Sequence, residues 1–306
     1  MGLLDGRVAV VTGSGRGIGR AISLELASQG AKLVVNDAGV GVDGRGGSED
    51  PAHAVVEEIE AGGGEAAPNY DDVSQWDSAQ SIIETAVSKF GRIDVLVNNA
   101  GILRDRSLLK MTEEEFDAVV GVHLKGTFNC TRHAAGHMKE QGYGRIVNIT
   151  SSAGLRGNFG QTNYAAAKAG IAGMTLVWAL ELGRYGITVN AMAPAAVTRM
   201  TTGILPGSEQ KVPPEMDPAL NAPMIAFLAS ERAGHVNGQV FGRRGYGYTI
   251  FQKFKPVALM YRPGGWTTEE VAAHFDNVLA EHMMPAGMDI VLNRPDKPQP
   301  ERDARP

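Results

Sequence analysis

Short apolar runs alternate with longer stretches of helical period along most of this 306-residue chain. The β-branched runs lie at 8–12, 32–36, 94–97, 145–150 and 187–192, with weaker ones near 65–70 and 238–242. The helical stretches between them lie at 17–29, 51–61, 76–90, 112–141 and 163–184. Strand–helix alternation is typical of a parallel sheet covered by helices on both faces. Unbroken apolar strands, rather than alternating ones, are typical of strands buried on both sides. The sequence therefore predicts an α/β fold, a doubly wound sheet of about seven parallel strands in a single domain.

Segments rich in glycine and proline interrupt this alternation and suggest the organisation of the chain. Residues 38–50 form a glycine-rich loop, and residues 199–218 are predicted to form a lid. We predict that the main α/β domain covers 1–242 and that a C-terminal extension covers 243–292. A capped helix is expected near 267–281, where the sequence reads WTTEE. The proline-rich, charged residues 293–306 are predicted to be a disordered tail.

Composition argues against several classes of partner. The net charge is −5 without a basic stripe, which argues against nucleic acid. No run of about 18 apolar residues and no signal peptide is found, so a membrane is not expected. Cys130 is the sole cysteine, which fits a reducing compartment, and we expect a cytoplasmic location. His133 and His137 have helical i, i+4 spacing but no third candidate ligand nearby, so no metal is expected.

A glycine-rich turn follows the first predicted strand, in VVTGSGRGIGR. Gly13, Gly17 and Gly19 fit a tight turn in which the backbone approaches a ligand closely at a helix N-terminus. Free N–H groups and the positive end of the helix dipole at that point favour a pyrophosphate. A glycine turn alone could be only a tight turn.

Asp37 strengthens the nucleotide interpretation because it ends the second predicted strand, 20 residues after Gly17. A carboxylate there accepts hydrogen bonds from an adenosine ribose and repels a 2′-phosphate. The nearest arginine in that stretch is Arg45, in the glycine-rich loop. The residues therefore favour NAD over NADP, although Asp37 could instead cap a loop.

Tyr164 and Lys168 are four residues apart, within GNFGQTNYAAAK, and would share one face of a helix. An ammonium near a phenol lowers the phenol's pKa, so such a tyrosine could exchange a proton with a substrate oxygen. A serine in the TSS sequence upstream could bind the same oxygen. Taken alone, a tyrosine–lysine pair at this spacing is more often a surface pair.

Four motifs together resemble the short-chain dehydrogenase/reductase family over about residues 5–242: the glycine turn at Thr12–Gly19, NNAG at Asn98–Gly101, a serine 13 residues before the tyrosine, and Tyr-x-x-x-Lys. The resemblance implies a Rossmann-type fold with Tyr164 as general acid/base and Ser151 as the partner of the substrate oxygen, Ser152 being the fallback. Lys168 would lower the pKa of the tyrosine and hold the nicotinamide ribose. The implied cofactor-binding residues are Gly13, Ser14, Arg16, Gly17, Ile18, Gly19, Asp37, Asp72, Val73, Asn99, Ala100, Gly101, Tyr164, Lys168, Pro194, Val197 and Thr198.

Two departures from the family pattern concern the site itself. Where many members carry an asparagine that anchors a relay water, this chain has His123, in VHLKGTF. The histidine could be a relay with a pKa near 6.5 or a half-buried packing residue. The usual Pro-Gly is Pro194-Ala195 here, which could stiffen that turn.

Further stretches resemble the (3R)-hydroxyacyl-CoA dehydrogenase domains of peroxisomal multifunctional enzymes and their bacterial relatives: VVND, NNAGILRDRS, VHLKGTF and GNFGQTNY. That resemblance implies NAD-dependent oxidation of a 3-hydroxyacyl-CoA, which could be steroid-derived. Arg104 and Arg106 could meet a CoA phosphate, or could form loop salt bridges. The match weakens after about residue 196, so the sequence does not specify the acyl group.

Other functions stay open at this point. One rival is a 3-oxoacyl-carrier-protein reductase, which should prefer NADPH, and another is a dehydrogenase of free hydroxysteroids. A non-catalytic NAD-binding sensor is a third, although the intact serine, tyrosine and lysine argue against it. The resemblance also implies a homodimer or homotetramer, built through the helices predicted at 112–141 and 163–184.

Overall fold

The computed structural model describes residues 2–198, 212–252, 255–284 and 286–287. Its strands are β1 (Val8–Thr12), β2 (Lys32–Asn36), β3 (Ala66–Asn69), β4 (Val95–Asn98), β5 (Gly144–Ile149), β6 (Ile187–Ala193), β7 (Val240–Arg244) and β8 (Gly247–Phe251). Its helices are α1 (Gly17–Ser28), α2 (Asp50–Ala61), α3 (Trp76–Phe90), α4 (Glu113–Val120), α5 (Gly126–Gln141), α6 (Ser152–Arg156), α7 (Thr162–Leu182), α8 (Ala222–Ala229) and α9 (Thr268–Val278). Residues 199–211 of the predicted lid and the predicted tail at 293–306 lie outside the described residues.

All the strands form one sheet in the order β3-β2-β1-β4-β5-β6-β7-β8. Strands β1 to β7 pair in parallel, which confirms the predicted doubly wound architecture. The strand order reverses between β1 and β4, so the connections leave these two strands in opposite directions. A crevice opens at the carboxyl ends of strands at such a switch point, where α/β folds bind their ligands.

The prediction of about seven parallel strands missed β8. This strand pairs antiparallel with β7 through a tight connection at Arg244 and Gly247, and it lies in the segment expected to be an extension. Strand β7 also runs past the expected boundary at 242, as far as Arg244. The sequence signal was weak because β8 is an edge strand with mostly exposed side chains, so it lacks the apolar run that marks the central strands.

The two largest apolar clusters, one on each face of the sheet, form most of the core. One joins side chains of β1, β2 and β4 to α1, α2 and α8, including Ile22, Leu26 and Ile225. The other joins the opposite face to α3, α5 and α7, including Ile82, Leu96 and Met138. Each helix packs one apolar stripe against the sheet, and this packing fixes the position of the helix N-terminus relative to the sheet edge.

The single helix expected over 112–141 is two helices. Thr112 and Glu115 form a capping box that starts α4. Between α4 and α5 lies a π-helical turn, Gly121–Lys125. Such turns accommodate an extra residue in a helix and occur often at functional sites. The predicted helix near 267–281 is confirmed as α9, with a capping box between Thr267 and Glu270.

The stretch Thr162–Tyr185, which contains α7, is long and apolar enough by length and composition to cross a membrane. Its best window has a mean hydropathy of 1.3, and a third of that window is buried. The expectation that no segment is apolar enough to span a membrane is therefore wrong. The stretch contains no uninterrupted apolar run, but its many alanine, leucine and other apolar residues raise its mean hydropathy despite the polar side chains between them.

A chain of buried polar side chains ties the central strands to two helices. Asn98 on β4 donates through Nδ2 to Asn148 Oδ1 on β5 at 2.8 Å and to Thr131 Oγ1 on α5 at 3.0 Å. Asn148 in turn donates to Thr175 Oγ1 on α7 at 2.9 Å. All four residues are nearly inaccessible to solvent. Because every member has a partner, the network fixes α5 and α7 against the sheet without an unpaired polar group.

Replacing Asn148 by leucine should lower the free energy of unfolding by about 3 kcal/mol, because it leaves Asn98 and Thr175 without their shared partner. Urea unfolding would measure the change. Thr188→Val is the matched control, because Thr188 Oγ1 is buried without a hydrogen-bond partner in the described part of the chain. That control should be close to neutral. Equal effects of the two substitutions would contradict the role of the network.

Candidate active site

A cavity of about 610 Å³ opens at the switch point of the sheet. Sixteen of the predicted site residues line it: Gly13, Arg16, Gly17, Ile18, Gly19, Asp37, Asp72, Val73, Asn99, Ala100, Gly101, His123, Tyr164, Lys168, Pro194 and Thr198. Ser14, Ser151 and Val197 do not line it. Ser14 is fully buried and donates to Val11 O and Asn36 O, so it supports the turn from behind. Val197 is buried, and its N–H donates to Met216 O at 2.9 Å.

The glycines of the turn are required for two separate reasons. Gly13 and Gly17 have φ of +63° and +53°, which favours residues without a side chain. At Gly19 the backbone geometry is ordinary, but a Cβ would lie 2.2 Å from Gly13 O and 2.5 Å from Asn99 Nδ2. The turn therefore folds tightly against the following helix.

The NNAG sequence braces this glycine turn. Asn99 donates through Nδ2 to Thr12 O at 3.0 Å and Gly13 O at 2.8 Å. Thr12 Oγ1 accepts from the backbone N–H groups of Asn99 and Ala100. The two cavity walls, one after β1 and one after β4, are thereby held at a fixed separation.

Asp37 lies at the end of β2, and its contacts agree with both predicted roles, as a loop cap and as a residue of the nucleotide site. Its Oδ2 accepts from Gly15 N at 2.8 Å and its Oδ1 accepts from Gly39 N at 2.7 Å, so it does cap the loop. The carboxylate also lines the cavity. Each carboxylate oxygen has a second lone pair, so the cap leaves further acceptor capacity on a residue of the cavity wall. Arg45 is 72% exposed and lies 3.8 Å from Glu114, so its charge is directed to α4 rather than to Asp37.

The tyrosine, serine and lysine come together as predicted. Tyr164 and Lys168 lie in the first turns of α7, and the Tyr164 hydroxyl shares a hydrogen bond with the side chain of Ser151. Ser151 is the N-cap of α6, where its Oγ also accepts from Ala153 N at 3.2 Å. Ser152, the fallback, is the first residue of α6. The helix cap therefore orients the Ser151 hydroxyl toward the tyrosine.

Lys168 is 3% exposed, and its Nζ donates to Ile149 O at 2.5 Å while lying 5.7 Å from the centroid of the Tyr164 ring. Burial lowers the pKa of the lysine to about 7. The pKa of Tyr164 is raised, first by burial and then by the charge of Asp105, while the hydrogen bond from Ser151 lowers it. The sequence predicted the opposite direction for the tyrosine. Burial outweighs the hydrogen bond with Ser151 because a phenolate removed from water loses its hydration.

His123 lies in the π-helical turn and is 1% exposed. Its Nε2 contacts Ile102 O at 2.8 Å, and its ring meets that of Tyr164 edge-on at 5.1 Å between centroids. Burial, followed by the charge of Lys168, lowers the pKa of the imidazole well below 6.5. The expectation of a relay titrating near 6.5 is therefore wrong for this environment, and the ring is neutral at physiological pH. A Cβ at Gly101 would lie 2.2 Å from its Cε1.

Arg104 and Arg106 form salt bridges rather than facing the cavity. Arg104 Nη1 lies 3.0 Å from Glu114 Oε1, and its Nε donates to Asp43 O in the glycine-rich loop. Arg106 Nε lies 3.3 Å from Glu115 Oε1. This arrangement agrees with the salt-bridge alternative, and it ties the glycine-rich loop to α4.

Two groups of site residues were missed from the sequence. The glycine-rich loop contributes a wall of the cavity, through Val40, Gly41, Val42, Gly44 and Gly46. The segment after β6 is held by Asn221, which exchanges hydrogen bonds with Ala195 N and O at 3.1 Å, and by the buried Arg243. No spacing in the sequence indicates a contact between residues this far apart.

The histidines of α5 have local partners. The His133 ring lies 4.3 Å from that of Trp76, and His137 Nε2 lies 3.5 Å from Glu84. Among the described residues, no group of three or more histidine, cysteine, aspartate or glutamate side chains could hold a metal ion.

The sequence profile of the short chain dehydrogenase family matches residues 7–208. The chain therefore belongs to this family of oxidoreductases.

Three proteins of known identity or structure are similar to this chain. The chain is 50% identical to peroxisomal multifunctional enzyme type 2 of Drosophila melanogaster over 227 residues, which cover 74% of this chain and 37% of that protein. It is 44% identical to the hydroxyacyl-CoA dehydrogenase ChsB1 of Mycobacterium tuberculosis over 253 residues, which cover 78% of this chain and 77% of that one. A crystal structure of a short chain dehydrogenase from Mycobacterium avium superposes with a TM-score of 0.81 at 44% identity, covering 94% of this chain and 98% of that one. The chain thus spans little more than a third of the length of the fruit-fly relative.

The burial of Lys168 predicts a pH-dependent stability for the cofactor-free protein. Its pKa is 10.5 when unfolded and about 7 when folded, so between these values the unfolded chain binds more protons. Its contribution to stability should therefore increase with pH across this window, by roughly 1 kcal/mol per pH unit. Urea unfolding at pH 7.5 and 9 should show this increase in the wild type relative to Lys168→Met.

Lys89→Met serves as the control for that measurement, because Lys89 is exposed in the last turn of α3. Its stability should follow the pH profile of the wild type. Parallel pH profiles for the wild type and Lys168→Met would mean that the lysine is not buried as described.

Proposed function

We propose that the protein oxidises a 3-hydroxyacyl-CoA of the 3R series to the 3-oxoacyl-CoA with NAD, using Tyr164 as general base. The observation that carries the proposal is the bonded Ser151–Tyr164 pair with buried Lys168 beneath it, next to a cavity of about 610 Å³. Such a pair can bind a substrate oxygen and exchange its proton.

The residues of the cavity fit a dinucleotide. The glycine turn leaves no room for a Cβ at Gly13, where it would lie 2.6 Å from Ala100 Cα, so the backbone itself forms the wall. This wall stands at the N-terminus of α1, which favours a pyrophosphate. Asp37 would accept hydrogen bonds from the adenosine ribose, and Asp72 with Val73 would border the adenine. Lys168 would hold the nicotinamide ribose, and Pro194 with Thr198 would border the amide.

The chain's own residues would bind and deprotonate the alcohol. When bound, an oxidised nicotinamide supplies a hydride-accepting carbon and a positive charge. A positive charge in this cavity would lower the pKa of the Tyr164 phenol, which would oppose the effect of burial. Ionised Tyr164 would take the proton of the substrate hydroxyl, and the Ser151 hydroxyl would donate a hydrogen bond to the same oxygen. Neutral His123 packs against the tyrosine ring and holds it in this orientation.

The substrate class rests on the relatives. One is named a hydroxyacyl-CoA dehydrogenase, and another is a peroxisomal multifunctional enzyme that shares half of its residues with this chain over the matched segment. Arg104 and Arg106 are engaged in salt bridges, so recognition of the CoA is not assigned to them. The identity of the acyl group, which includes a steroid-derived one among the candidates, is to be determined by the assay with different CoA esters.

We also propose a homo-oligomer. Helices α5 and α7 expose apolar side chains, with Phe128 43%, Val177 50% and Leu180 85% exposed. A second copy packing these helices together would remove this apolar area from water. Light scattering should give a dimer or tetramer, and a monomer at micromolar concentration would contradict it.

Substituting Tyr164 by phenylalanine should lower kcat at least a hundredfold, because the general base is lost while the ring remains. The assay is NADH formation from (3R)- and (3S)-3-hydroxyacyl-CoA esters, run beside the same alcohols without CoA. Tyr185→Phe, which removes the same atom from the 3-10 turn that follows α7, should retain full activity.

The outcomes of this assay separate the rival functions. Turnover of free alcohols alone would overturn the CoA ester and favour a hydroxysteroid dehydrogenase. Activity only as a reductase with NADPH would favour the carrier-protein reductase. Bound NAD without any turnover would favour a sensor.

Asp37→Ala should lower the ratio of kcat/KM for NAD over NADP by tenfold or more. The substitution removes an acceptor for the ribose hydroxyls and a negative charge that repels the 2′-phosphate. Steady-state kinetics with both cofactors would measure the ratio. Asp43→Ala, in the glycine-rich loop that follows Asp37, is the control for general loosening of the loop. A ratio unchanged by Asp37→Ala would contradict the assignment of NAD.

A further inference from the structure

A second cavity, of about 620 Å³, lies between α6 and the β7–β8 hairpin and shares no lining residue with the first. Its walls are the residues Ser152, Gly154, Leu155, Arg156, Gly157, Gly242, Arg243, Arg244, Thr249, Ile250, Phe251, Gln252 and Met284. Three of these residues are arginines, and no carboxylate is among them. Apolar side chains and cationic groups therefore share one cavity.

The cavity is adjacent to the reacting centre through α6. Ser151, which bonds to Tyr164, caps this helix, and Ser152 is its first residue and already belongs to the cavity wall. At Gly154 the helix lies directly on α7, since a Cβ there would be 2.5 Å from Ala169 N. Arg156 is five residues beyond Ser151, about 8 Å along the helix axis. A substrate whose carbinol contacted Ser151 and Tyr164 would have to extend over roughly this distance to reach the cavity.

Strand pairing determines which side chains of the hairpin face the cavity. Gly242 lies opposite Thr249, Arg244 opposite Gly247, and Val240 opposite Phe251. Paired residues share a face of the sheet and successive residues alternate. One face therefore carries Arg244, Thr249 and Phe251, and it is the face on which Val240 and Phe251 pack with Ala172 and Leu155.

The two neighbouring arginines of β7 have different tasks as a result. Arg243 is 6% exposed, and its guanidinium donates hydrogen bonds to Asn221 Oδ1 and to the backbone oxygens of Ala195, Glu215 and Gly245. It is a structural residue. Arg244 is exposed, and no ion pair to it occurs within the described ranges. Its charge is available to a ligand.

We propose that this second cavity is the distal subsite of the proposed acyl-ester site and binds an anionic group carried by the same substrate. Arg244 and Arg156 bind the anion, and Leu155, Phe251 and Met284 enclose the apolar chain that connects it to the carbinol. The Arg156 guanidinium lies 5.8 Å from the centroid of the Phe251 ring, so one side chain supports the other. The inference rests on the proposed function.

Two parts of a CoA thioester could supply the anion: the phosphates of the CoA moiety, or a carboxylate at the far end of the acyl group. Both would form charge-assisted hydrogen bonds with a guanidinium. Three substrates separate them: a methyl-terminated 3-hydroxyacyl-CoA, the same acyl group as its N-acetylcysteamine thioester, and an N-acetylcysteamine thioester whose acyl group ends in a carboxylate.

Arg244→Gln should raise KM about tenfold for the anion-bearing substrates that use the cavity, with kcat little changed. An increase for the CoA ester alone identifies the phosphates, and an increase for the carboxylate-ended thioester alone identifies the acyl end. The methyl-terminated N-acetylcysteamine thioester, which has no anion, should be unaffected. Arg232→Gln, an equal loss of charge at an exposed site remote from both cavities, should match the wild type on all three substrates. A KM for Arg244→Gln equal to that of the wild type on every substrate overturns the inference and leaves the proposed function intact.

Binding is measured separately, so that the inference does not depend on turnover. The three thioesters are titrated by calorimetry into Tyr164→Phe protein with and without Arg244→Gln. Weaker binding of an anionic thioester on loss of Arg244 supports the subsite. Equal affinities overturn it, whether or not NADH formation is observed. Wild-type protein that forms no NADH from any thioester contradicts the proposed function alone.

Discussion

The buried ammonium of Lys168 is the constraint on which the arrangement of the site depends. Its Nζ donates to Ile149 O at 2.5 Å, at the carboxyl end of β5, and Thr150 Oγ1 donates to the carbonyl of the same lysine at 2.7 Å. These two bonds fix the first turns of α7 to the end of a central strand. The tyrosine, one helical turn earlier, is positioned by the same attachment. Burying this lysine costs stability, and the apolar clusters on both faces of the sheet provide the surplus that offsets the cost.

Several polar residues in and around the site form hydrogen bonds with other protein groups. Asn99 and Thr12 hold the glycine turn, and Asn163 Nδ2 bridges the carbonyls of Arg104 and Glu115. Gln161 donates to Asp105 Oδ2 at 2.7 Å, which anchors the segment that leads into α7. A binding site that must hold its geometry needs such supporting hydrogen bonds, because each loop alone has several accessible conformations.

The sequence predicted the parts of the molecule that depend on local pattern. The seven parallel strands, the glycine turn and the tyrosine–lysine pair could be located because apolar period, missing side chains and helical spacing leave direct traces in the chain. The opposite direction of the Tyr164 pKa could not be predicted, because burial is a property of the assembled fold. The same holds for Arg243, whose partners at Ala195, Glu215 and Asn221 are brought together only by tertiary packing. Strand β8 was missed because an exposed edge strand has no apolar signature.

The π-helical turn Gly121–Lys125 has a consequence for how this helix can vary. One extra residue would advance an α-helix by about 100°, and the wider π-helical turn takes up that residue between α4 and α5. Removing one residue there would let a regular helix form while rotating His123 away from Ile102 and the tyrosine. The number of residues is therefore as important as their identity at this point: a substitution could preserve the turn, whereas a single deletion would remove the turn that positions His123.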